Sequence, residues 1–351
     1  MPNPIKLGFV GCGTHSTNNI YPALKYARCQ LQAVCDLNED LARRNARIFG
    51  APAVYTSAEK MLAEESLDGV LIVGSDALHF ELGKKVLARG IPLFVEKPPA
   101  PNAAAATELV ALAVKHKTFF MAGFMKRFAL TYGKIRSMIA SGEFVPSSAA
   151  LRYTHWAGNN INGMLLFMAI HPIDLAISFF GDVKSVTSVS YDSGKALSLG
   201  VTLTFASGKW AQLMLGCHGP RIQEHVEISG TIAGKDGYIC VDNIASMEVH
   251  TAGQSGVDVL APELAAIQPT YDLDDIKVWR PDFGIPNMGQ NSLFLNGYAG
   301  EIREFVDCIL EKRIPNCGND AAVRALRVID AVVTQPNGTV QLNEFRKSGD
   351  L

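Results

Sequence analysis

The sequence predicts an α/β protein of two domains, the first built on a parallel sheet with helices on both faces. Three observations support this prediction. The chain has 351 residues, which is more than one small core organises. Apolar strand-like runs alternate with helical patterns from Ile5 to Ala122, as in a parallel sheet. The first run ends in a glycine turn, Gly11-Cys12-Gly13, that opens a helical pattern.

The elements of the first domain follow from this alternation. The predicted strands are Ile5–Val10, Leu31–Cys35, Gly69–Val73, Leu93–Val95 and Phe119–Ala122. The predicted helices between them are Ile20–Ala27, Glu39–Phe49, Ser57–Glu64, Phe80–Arg89 and Ala103–His116. Because ligands of such sheets bind beyond the carboxyl ends of the strands, we expect the site to include Gly11–Ser16, Asp36, Gly74–His79 and Glu96-Lys97-Pro98.

The second half predicts a helix near Leu130–Ser141 and then a series of alternating strands. These strands are Ala149–Trp156, Val183–Tyr191, Leu197–Phe205, Trp210–Leu215, Glu224–Ser229 and Gly237–Val241. Two helices, Ala299–Glu311 and Asp320–Val333, are predicted near the end. The apolar segment Met164–Phe180 is interrupted by His171, Pro172 and Asp174, which indicates a buried helix or site and not a membrane span.

Composition excludes several classes of partner. Hydrophobic residues make up 48% of the chain, charged residues 19%, and the net charge is −2, which gives no electrostatic basis for binding nucleic acid or an anionic membrane. Seven cysteines without a C-x-x-C pair favour reduced thiols in the cytoplasm and argue against a structural zinc site, so we expect no metal. The first four residues predict no targeting segment.

The glycine turn has the chemistry of a dinucleotide-phosphate loop. Gly11 permits a tight turn, and Gly13 lacks the Cβ that would block a pyrophosphate. Free N–H groups at the start of the next helix, from Thr14 onward, would face the phosphate charge. His15 either contacts that phosphate or faces solvent. An ordinary strand-to-helix turn is the alternative for the motif taken alone.

Asp36 predicts the cofactor. It ends the second strand about 20 residues beyond the glycines, where a carboxylate binds the ribose hydroxyls of adenosine. Leu37 and Asn38 follow it, so a 2′-phosphate would meet negative charge without a basic partner, and NAD is favoured over NADP. The alternative for Asp36 is a helix N-cap, and one residue can serve both purposes.

Glu96-Lys97-Pro98-Pro99 is the tetrapeptide that predicts chemistry. A lysine after a strand and before two prolines is held on an extended, rigid backbone. We expect Lys97 to project into the crevice that holds the nicotinamide. A surface lysine in a loop is the alternative.

Four further motifs complete a resemblance. From about Ile5 to Phe345 the chain resembles the glucose–fructose oxidoreductase/inositol dehydrogenase (Gfo/Idh/MocA) family. Beside the glycine turn, Asp36 and Glu96-Lys97-Pro98, the motifs are Gly123-Phe124-Met125-Lys126-Arg127-Phe128, Gly163-Met164-Leu165-Leu166, His171-Pro172-Ile173-Asp174 and Glu301-Ile302-Arg303-Glu304-Phe305.

The resemblance implies an N-terminal Rossmann domain over residues 1–122 and a C-terminal α/β domain over residues 123–351 with a large, mostly antiparallel open sheet. It implies NAD(P)-dependent oxidation or reduction of sugars or cyclitols, with Lys97 and His171 flanking the reacting carbon. A second subunit on the open sheet face would give a homodimer or homotetramer. The cofactor-binding residues would be Gly11, Gly13, Thr14, His15, Asp36, Gly74, Ser75, His79, Glu96 and Lys97.

The substrate side departs from the family pattern. The family commonly carries Asp four residues before the catalytic His and Gly two before it; this chain has Phe167 and Ala169 there. Gly74-Ser75-Asp76 and Met125 also differ from the family, whereas His79 matches it. Phe167 cannot orient or charge-stabilise His171, so Asp174 or a residue of another strand would have to substitute. On a regular helix, Phe167 would meet His171 on one face and form an apolar wall beside it.

The remaining candidates concern the substrate. Tyr153, His155 and Trp156 end a predicted strand, where an aromatic face beside polar groups suits a sugar ring. Ordinary half-buried strand residues are the alternative. Trp279-Arg280 lies in a loop-like stretch that could enter the pocket. The full set of candidate substrate contacts is Arg127, Tyr153, His155, Trp156, Phe167 and Asp174.

Three functions compete at this point. The first is a dehydrogenase, in which a hydroxyl proton passes to His171 or Lys97 while hydride leaves the carbon. The second is a glycosidase that uses retained NAD transiently. The third, suggested by Phe167, is a non-catalytic dinucleotide-binding regulator.

Overall fold

The computed structural model describes residues 4–154, 160–194, 196–216, 222–252, 274–280 and 291–344. Within these ranges the strands form two sheets, of six and nine strands. The first sheet is parallel throughout and has the order β3-β2-β1-β4-β5-β6. Its strands are β1 (Ile5–Val10), β2 (Cys29–Cys35), β3 (Ala53–Tyr55), β4 (Gly69–Ile72), β5 (Leu93–Glu96) and β6 (Phe120–Gly123).

The strand order reverses between β1 and β4, so the loops after these strands open a crevice at the carboxyl edge of the sheet. Every residue of β4 and β5 is buried, which confirms the prediction of helices on both faces. Side chains of Asn38, Ser57, Ser75 and Asn102 cap four of these helices. The helices are Glu39–Phe49, Ala58–Glu64, Asp76–Leu87 and Ala103–Lys115, and a helical segment of mixed geometry runs from Ser16 to Tyr26.

The second sheet confirms the large, mostly antiparallel architecture. Its order is β14-β13-β12-β11-β7-β10-β9-β8-β15, and β7 and β10 are its parallel pair. Residues of β9 alternate between buried and half-buried, so helices cover one face and leave the other open. The strands are β7 (Phe144–Thr154), β8 (Val183–Asp192), β9 (Leu197–Phe205), β10 (Trp210–Gly216), β11 (Gln223–Ile232), β12 (Lys235–Asp242), β13 (Ser246–Ala252), β14 (Asp274–Trp279) and β15 (Gly338–Gln341).

The helices of the second half complete both cores. They are Leu130–Ala140, Ile161–Met164, Ile170–Phe180, Asn291–Leu295, Tyr298–Glu311 and Ala321–Thr334. Helix Tyr298–Glu311 returns to the first sheet, where Phe305 contacts the rings of Phe94 and Phe119. The predicted domain boundary at residue 122 divides the chain in sequence order. This helix comes after that boundary in the sequence but packs into the core of the first domain.

Four strands lack a counterpart in the sequence prediction: β3, β13, β14 and β15. Strands β3 and β15 are only three and four residues long, too short for a period of two to register. The prediction that Trp279 lies in a loop is wrong, since Trp279 ends β14 and pairs with Met247 of β13. Its ring packs against the core of the second domain.

The helical stretch Ile161–Phe180 is apolar and long enough to cross a membrane, but 83% of that window is buried inside the fold. It consists of Ile161–Met164, a π-helical turn over Leu165–Ala169, and helix Ile170–Phe180. This agrees with the sequence prediction of a buried segment and with the core helix of a soluble protein.

Candidate active site

The glycine turn lies at the switch point with the geometry that the sequence predicts. Gly11 has a φ of +103°, and a Cβ there would lie 2.0 Å from the carbonyl oxygen of Val73. Gly13 differs, because a Cβ on it would meet nothing within 4 Å. The open space at Gly13 suits a ligand that approaches the backbone, and the first N–H groups of the following helix lack intrahelical acceptors.

Asp36 binds the same turn from the second strand. Its Oδ2 accepts the Cys12 N–H at 2.7 Å and its Oδ1 accepts the Asn38 N–H at 2.9 Å. The N-cap of helix Glu39–Phe49 is Asn38, so the capping alternative for Asp36 is wrong. Leu37 is 93% exposed beside it and offers no positive charge for a 2′-phosphate. A carboxylate has acceptor sites left for ribose hydroxyls.

His79 serves this region from inside the core. Its Nε2 accepts the Gly74 N–H at 2.9 Å, and its Nδ1 lies 2.7 Å from the Pro98 carbonyl oxygen. These contacts require neutral imidazole with the proton on Nδ1, and burial lowers the pKa of His79. The ring is fully buried and joins two crevice loops, so its structural task is clear, whereas its contact with a cofactor stays a prediction.

Several predicted cofactor contacts lie on the rim. Thr14, Gly74 and Ser75 are exposed, and the Ser75 hydroxyl caps helix Asp76–Leu87 through the Leu78 N–H. His15 is half-exposed, with Nε2 at 3.6 Å from Oε1 of Glu96. The sequence left two alternatives for His15, contact with phosphate or exposure to solvent. The structure adds a third, contact with the buried carboxylate of Glu96.

Lys97 follows β5 and reaches across to the second domain. Its backbone N–H donates to Oε2 of Glu96 at 3.0 Å, and its Nζ donates to the carbonyl oxygen of Phe167 at 3.4 Å. The lysine therefore bridges the cofactor-binding sheet and the helical segment that carries His171. This placement argues against a surface lysine in an isolated loop, and the catalytic task of Lys97 stays a prediction.

His171 is buried, and Lys97, Lys126 and His15 lie near enough to influence its protonation. Its Nδ1 has no hydrogen-bond partner among the described residues. Burial holds the pKa of His171 well below its usual range, and the charges of Lys97, Lys126 and His15 act in the same direction. The imidazole is consequently neutral at physiological pH and has an unused nitrogen.

Lys126 is a site residue that the sequence prediction did not select, although it lies in the Gly123–Phe128 motif. It is almost fully buried, its Nζ forms an ion pair with Glu224, and it lies 4.4 Å from the ring centre of Tyr153. The Tyr132 hydroxyl donates to the same carboxylate. Burial and the charge of Lys97 lower the pKa of Lys126 from its usual value.

Arg127 and Asp174 form a buried ion pair with each other, and their predicted contact with a substrate stays a prediction. Nε and Nη2 of Arg127 donate to the two carboxylate oxygens of Asp174 at 2.7 and 2.6 Å, and both side chains are buried. Such a bidentate pair fixes two helical segments against one another. Asp174 therefore does not replace the missing Asp as the partner of His171.

Phe167 does not pack on His171 in the way that regular helical spacing predicts. The π-helical turn over Leu165–Ala169 shifts the register, since the Ile170 N–H reaches back five residues to the Leu165 carbonyl. Phe167 is 57% exposed, whereas His171 is 7% exposed. The phenyl ring thus faces open space, and its backbone carbonyl receives Lys97.

Tyr153 is mostly buried, and burial raises its pKa to about 12. Its ring covers Lys126, so at least one aromatic candidate belongs to the wall of the site. His155 and Trp156 lie outside the described residues.

One group of potential metal ligands occurs among the described residues: His225, Glu227 and Cys240, with Asp242 at 2.8 Å from Nδ1 of His225. Side chains of His225 and Glu227 project from β11 on the face opposite to Glu224, hence away from the crevice. The expectation of no metal at the active site stays a prediction.

A parallel sheet with a glycine turn and an acid at its switch point, facing a lysine and a buried histidine, defines an NAD-dependent oxidoreductase. Two family models support this class. Residues 5–124 match the oxidoreductase family with an NAD-binding Rossmann fold, and residues 133–342 match its C-terminal alpha/beta domain. The chain belongs to the Gfo/Idh/MocA family, which confirms the resemblance and the prediction of NAD.

Individual relatives agree with this assignment. YceM of Salmonella typhimurium is 26% identical over 339 residues, covering 93% of this chain and 97% of that protein. The inositol 2-dehydrogenase/D-chiro-inositol 3-dehydrogenase of Shouchella clausii is 24% identical over 287 residues, covering 77% and 81%. A dehydrogenase from Chromobacterium violaceum has the same fold, with a TM-score of 0.82, 24% identity and 95% coverage of each chain.

Proposed function

We propose that this protein is an NAD-dependent dehydrogenase that oxidises a secondary alcohol of a cyclitol or sugar ring, and that it also runs in reverse. The observation that supports this proposal is the convergence of Lys97 and neutral His171 at the carboxyl edge of the Rossmann sheet. The Shouchella relative, which is named for inositol dehydrogenation, supports the choice of a polyhydroxylated ring.

The chain's own residues would hold NAD at the switch point. The turn from Gly11 to His15 would receive the pyrophosphate, and Asp36 the adenosine ribose. When bound there, NAD supplies the hydride acceptor. Glu96 and His79 keep the loops around it in place through their hydrogen bonds to backbone groups.

The remaining chemistry is proton transfer and charge stabilisation. A hydroxyl between Lys97 and His171 would lose its proton to the neutral imidazole. The Lys97 ammonium would stabilise the oxygen as negative charge develops on it. Lys126 and Glu224 form a buried ion pair beside Tyr153, and their hydrogen-bonding groups would suit the ring hydroxyls of a polar substrate.

A panel of cyclitols and pyranose alcohols, with NAD and separately NADP, tests the proposal through NADH absorbance. We expect steady turnover with NAD on at least one ring alcohol. Co-purified cofactor that is consumed and regenerated without net NADH would instead support the retained-NAD glycosidase. Absence of any turnover, with measurable NAD binding, would support the non-catalytic regulator and overturn the proposal.

The open face of the second sheet supports a homodimer or homotetramer. Large apolar side chains are exposed there: Val189, Tyr191, Trp210 and Met214. We expect light scattering on the purified protein to give two or four times the chain mass of 37.9 kDa. A strictly monomeric protein at micromolar concentration would contradict this. A cytoplasmic location, as the reduced thiols suggest, completes the proposal.

A further inference from the structure

A group of four polar side chains lies on the open face of the second sheet and takes no part in the reaction proposed above. Strand β11 contributes His225 and Glu227, and β12 contributes Cys240 and Asp242. In the antiparallel register of the two strands, His225 lies opposite Asp242, and Glu227 lies opposite Cys240. Residues directly opposite each other are close neighbours on one face of a sheet, so the four side chains meet.

The burial pattern of both strands shows that this β11–β12 group faces away from the crevice. Val226 and Val241 each lie between two of its members and are buried in the core. Successive side chains of a strand point to opposite faces, so the members of the group point to the open face. Glu224, by contrast, lies on the covered face of β11 and contacts Lys126. A ligand of the β11–β12 group would therefore be bound outside the candidate active site.

Potential metal-ligand atoms of three members are already close together. One such atom from each of His225, Glu227 and Cys240 lies within 4.8 Å of the other two. Sγ of Cys240 is 3.9 Å from Oε2 of Glu227. The ligands of a tetrahedral zinc ion are about 3.5 Å apart, since each lies about 2.0–2.3 Å from the metal. The three side chains are half-buried on an open face, and a shift of roughly 1 Å would bring them around such an ion.

Asp242 holds the histidine as a metal site requires. Its Oδ1 lies 2.8 Å from Nδ1 of His225. A carboxylate bonded to one ring nitrogen orients the imidazole, fixes its tautomer and leaves the other nitrogen as a lone-pair donor. Histidines that bind metals almost always have a second partner of this kind. This contact distinguishes the β11–β12 group from an ordinary polar patch on a sheet.

The electrostatic surroundings favour a cation at this place. Burial and the carboxylates of Glu227, Asp242 and Glu248 raise the pKa of the Cys240 thiol to about 11. A bound divalent cation would reverse this effect, because it stabilises the thiolate and the thiol proton passes to solvent. The same carboxylates that disfavour a free thiolate would therefore attract the metal ion that stabilises it.

The adjoining strands leave the β11–β12 group available to a ligand. Glu248 of β13 lies opposite Cys240, but its carboxylate is engaged by His250 at 3.3 Å and by Arg280 at 3.6 Å. The register of β7 places Arg152 beside the group, where this side chain is exposed and its charge is screened by solvent and salt. Within the described ranges, neither a lysine nor an arginine pairs with a carboxylate of the group.

We propose that His225, Glu227 and Cys240 bind a divalent ion of the zinc class, that Asp242 positions the histidine, and that the ion links β11 to β12 on the open face. A ligand set of nitrogen, thiolate sulfur and carboxylate oxygen suits Zn²⁺, whereas Mg²⁺ and Ca²⁺ take oxygen ligands. Three protein ligands leave the fourth tetrahedral position to water. The ion would stabilise the sheet and take no part in the reaction at Lys97.

The sequence expectation of no metal rests on the absence of C-x-x-C pairs. A site assembled from two strands does not need such a pair, because the register of the strands brings its ligands together. Cys240 and Glu227 are 13 positions apart in the chain, and local spacing therefore gives no sign of their contact.

Calorimetry with Zn²⁺ and absorption spectra with Co²⁺, on the untagged full chain after chelation and dialysis, test the proposal. Cys240→Ser and His225→Gln each remove one ligand, and Asp242→Asn removes the positioning carboxylate. Cys29→Ser is the matched control, since Cys29 is also a half-buried strand cysteine but lies on β2 of the first sheet. None of these measurements uses a substrate, so the inference is independent of the proposed function.

We expect the parent and Cys29→Ser to bind one Zn²⁺ per chain and to show the near-ultraviolet band of a cobalt-bound thiolate. Cys240→Ser should lack this band, and both ligand variants should bind Zn²⁺ at least about 100-fold more weakly. Asp242→Asn should keep the thiolate band, shift the visible cobalt bands that report the ligand field, and lose about tenfold in affinity. Saturating Zn²⁺ should raise the thermal unfolding midpoint of the parent but not that of Cys240→Ser.

Three results would overturn the inference: no thiolate–cobalt band in the parent, a band that survives in Cys240→Ser, or Zn²⁺ binding of equal strength in the parent and both ligand variants. Circular dichroism in metal-free buffer checks that each variant is folded, so that lost binding is not lost structure. If one ligand variant fails to fold, the other provides the same test, because each removes a different ligand of the same ion.

Discussion

The two sides of the crevice differ in how completely their buried polar groups are bonded. On the cofactor side, His79 uses both ring nitrogens and Asp36 uses both carboxylate oxygens within the protein. On the substrate side, Nδ1 of the buried His171 finds no partner among the described residues. The polar groups of the cofactor side are therefore held in place by the protein before a ligand binds. The buried histidine of the substrate side still lacks a hydrogen-bond partner for one ring nitrogen among the described residues.

The difference has an energetic meaning. Prearranged groups lose little conformational freedom on binding, which favours cofactor affinity. A buried polar atom left unsatisfied costs about 1–3 kcal/mol, and a ligand hydroxyl that pairs with it recovers part of that cost. Substitutions on the substrate side should accordingly change turnover more than NAD affinity, and substitutions on the cofactor side should do the reverse.

Lys97→Met should have the largest effect on kcat. It should also show the clearest difference between an effect on turnover and an effect on NAD binding. It keeps the aliphatic stem and removes the charge beside His171. We expect kcat to fall by about 10² or more while the NAD dissociation constant changes little, because the Glu96–Lys97 backbone hydrogen bond remains. Stopped-flow kinetics and calorimetry on the same preparation measure the two quantities. Near-parental kcat on the best substrate would remove Lys97 from the mechanism.

Asp36→Ser with Leu37→Arg should give an intermediate effect confined to the cofactor side. The pair removes negative charge and adds a cation at an exposed position. We expect NAD binding to weaken about tenfold and NADP binding to strengthen about tenfold, which is about 1.4 kcal/mol each. Asp36→Asn is the control, since it retains an acceptor for the Cys12 N–H. Equal affinities for NAD and NADP in the parent protein would contradict the specificity argument at its start.

The sequence predicted the cofactor side well because its signals are local. Gly11 and Gly13 lie in one turn. Gly11 has a positive φ, which glycine adopts readily because it has no Cβ. Strand and helix bounds in the first domain agree within a few residues, for example Glu39–Phe49. The task of His79 was not predicted, because its partners, Gly74 and Pro98, come from different loops.

The substrate side depends on contacts between distant segments, and sequence spacing carries little information about them. Arg127 pairs with Asp174 across 47 positions, and Lys126 pairs with Glu224 of β11. The sequence assigns no role to Glu301, because nothing local in its motif shows that this residue is fully buried. The sequence prediction assumed a regular helix, on which Phe167 and His171, four residues apart, share one face. The π-helical turn makes this assumption wrong.

Phe167→Asp should have the smallest effect of these variants, which is a change in the pKa of His171. The size of this change indicates how far the π turn separates the side chains at positions 167 and 171. A carboxylate near His171 would favour the imidazolium and raise the pKa that burial now lowers. Because Phe167 is exposed and the π turn moves it off the face of His171, we expect the rise in the pKa of His171 to be small. The acid limb of kcat/KM should move to higher pH by the same amount.

Phe167→Asn is the matched control for this change, since it has the same shape as Asp without its charge. The hydrogen bond from Lys97 uses the backbone carbonyl of position 167, so both variants should retain it. A shift in the acid limb for Asp but not for Asn would show that the missing carboxylate weakened His171 as a base. A large rise in KM for both would show that the phenyl ring packs against the substrate. In that case Phe167 selects the substrate, and the departure at this position redirected the enzyme without weakening it.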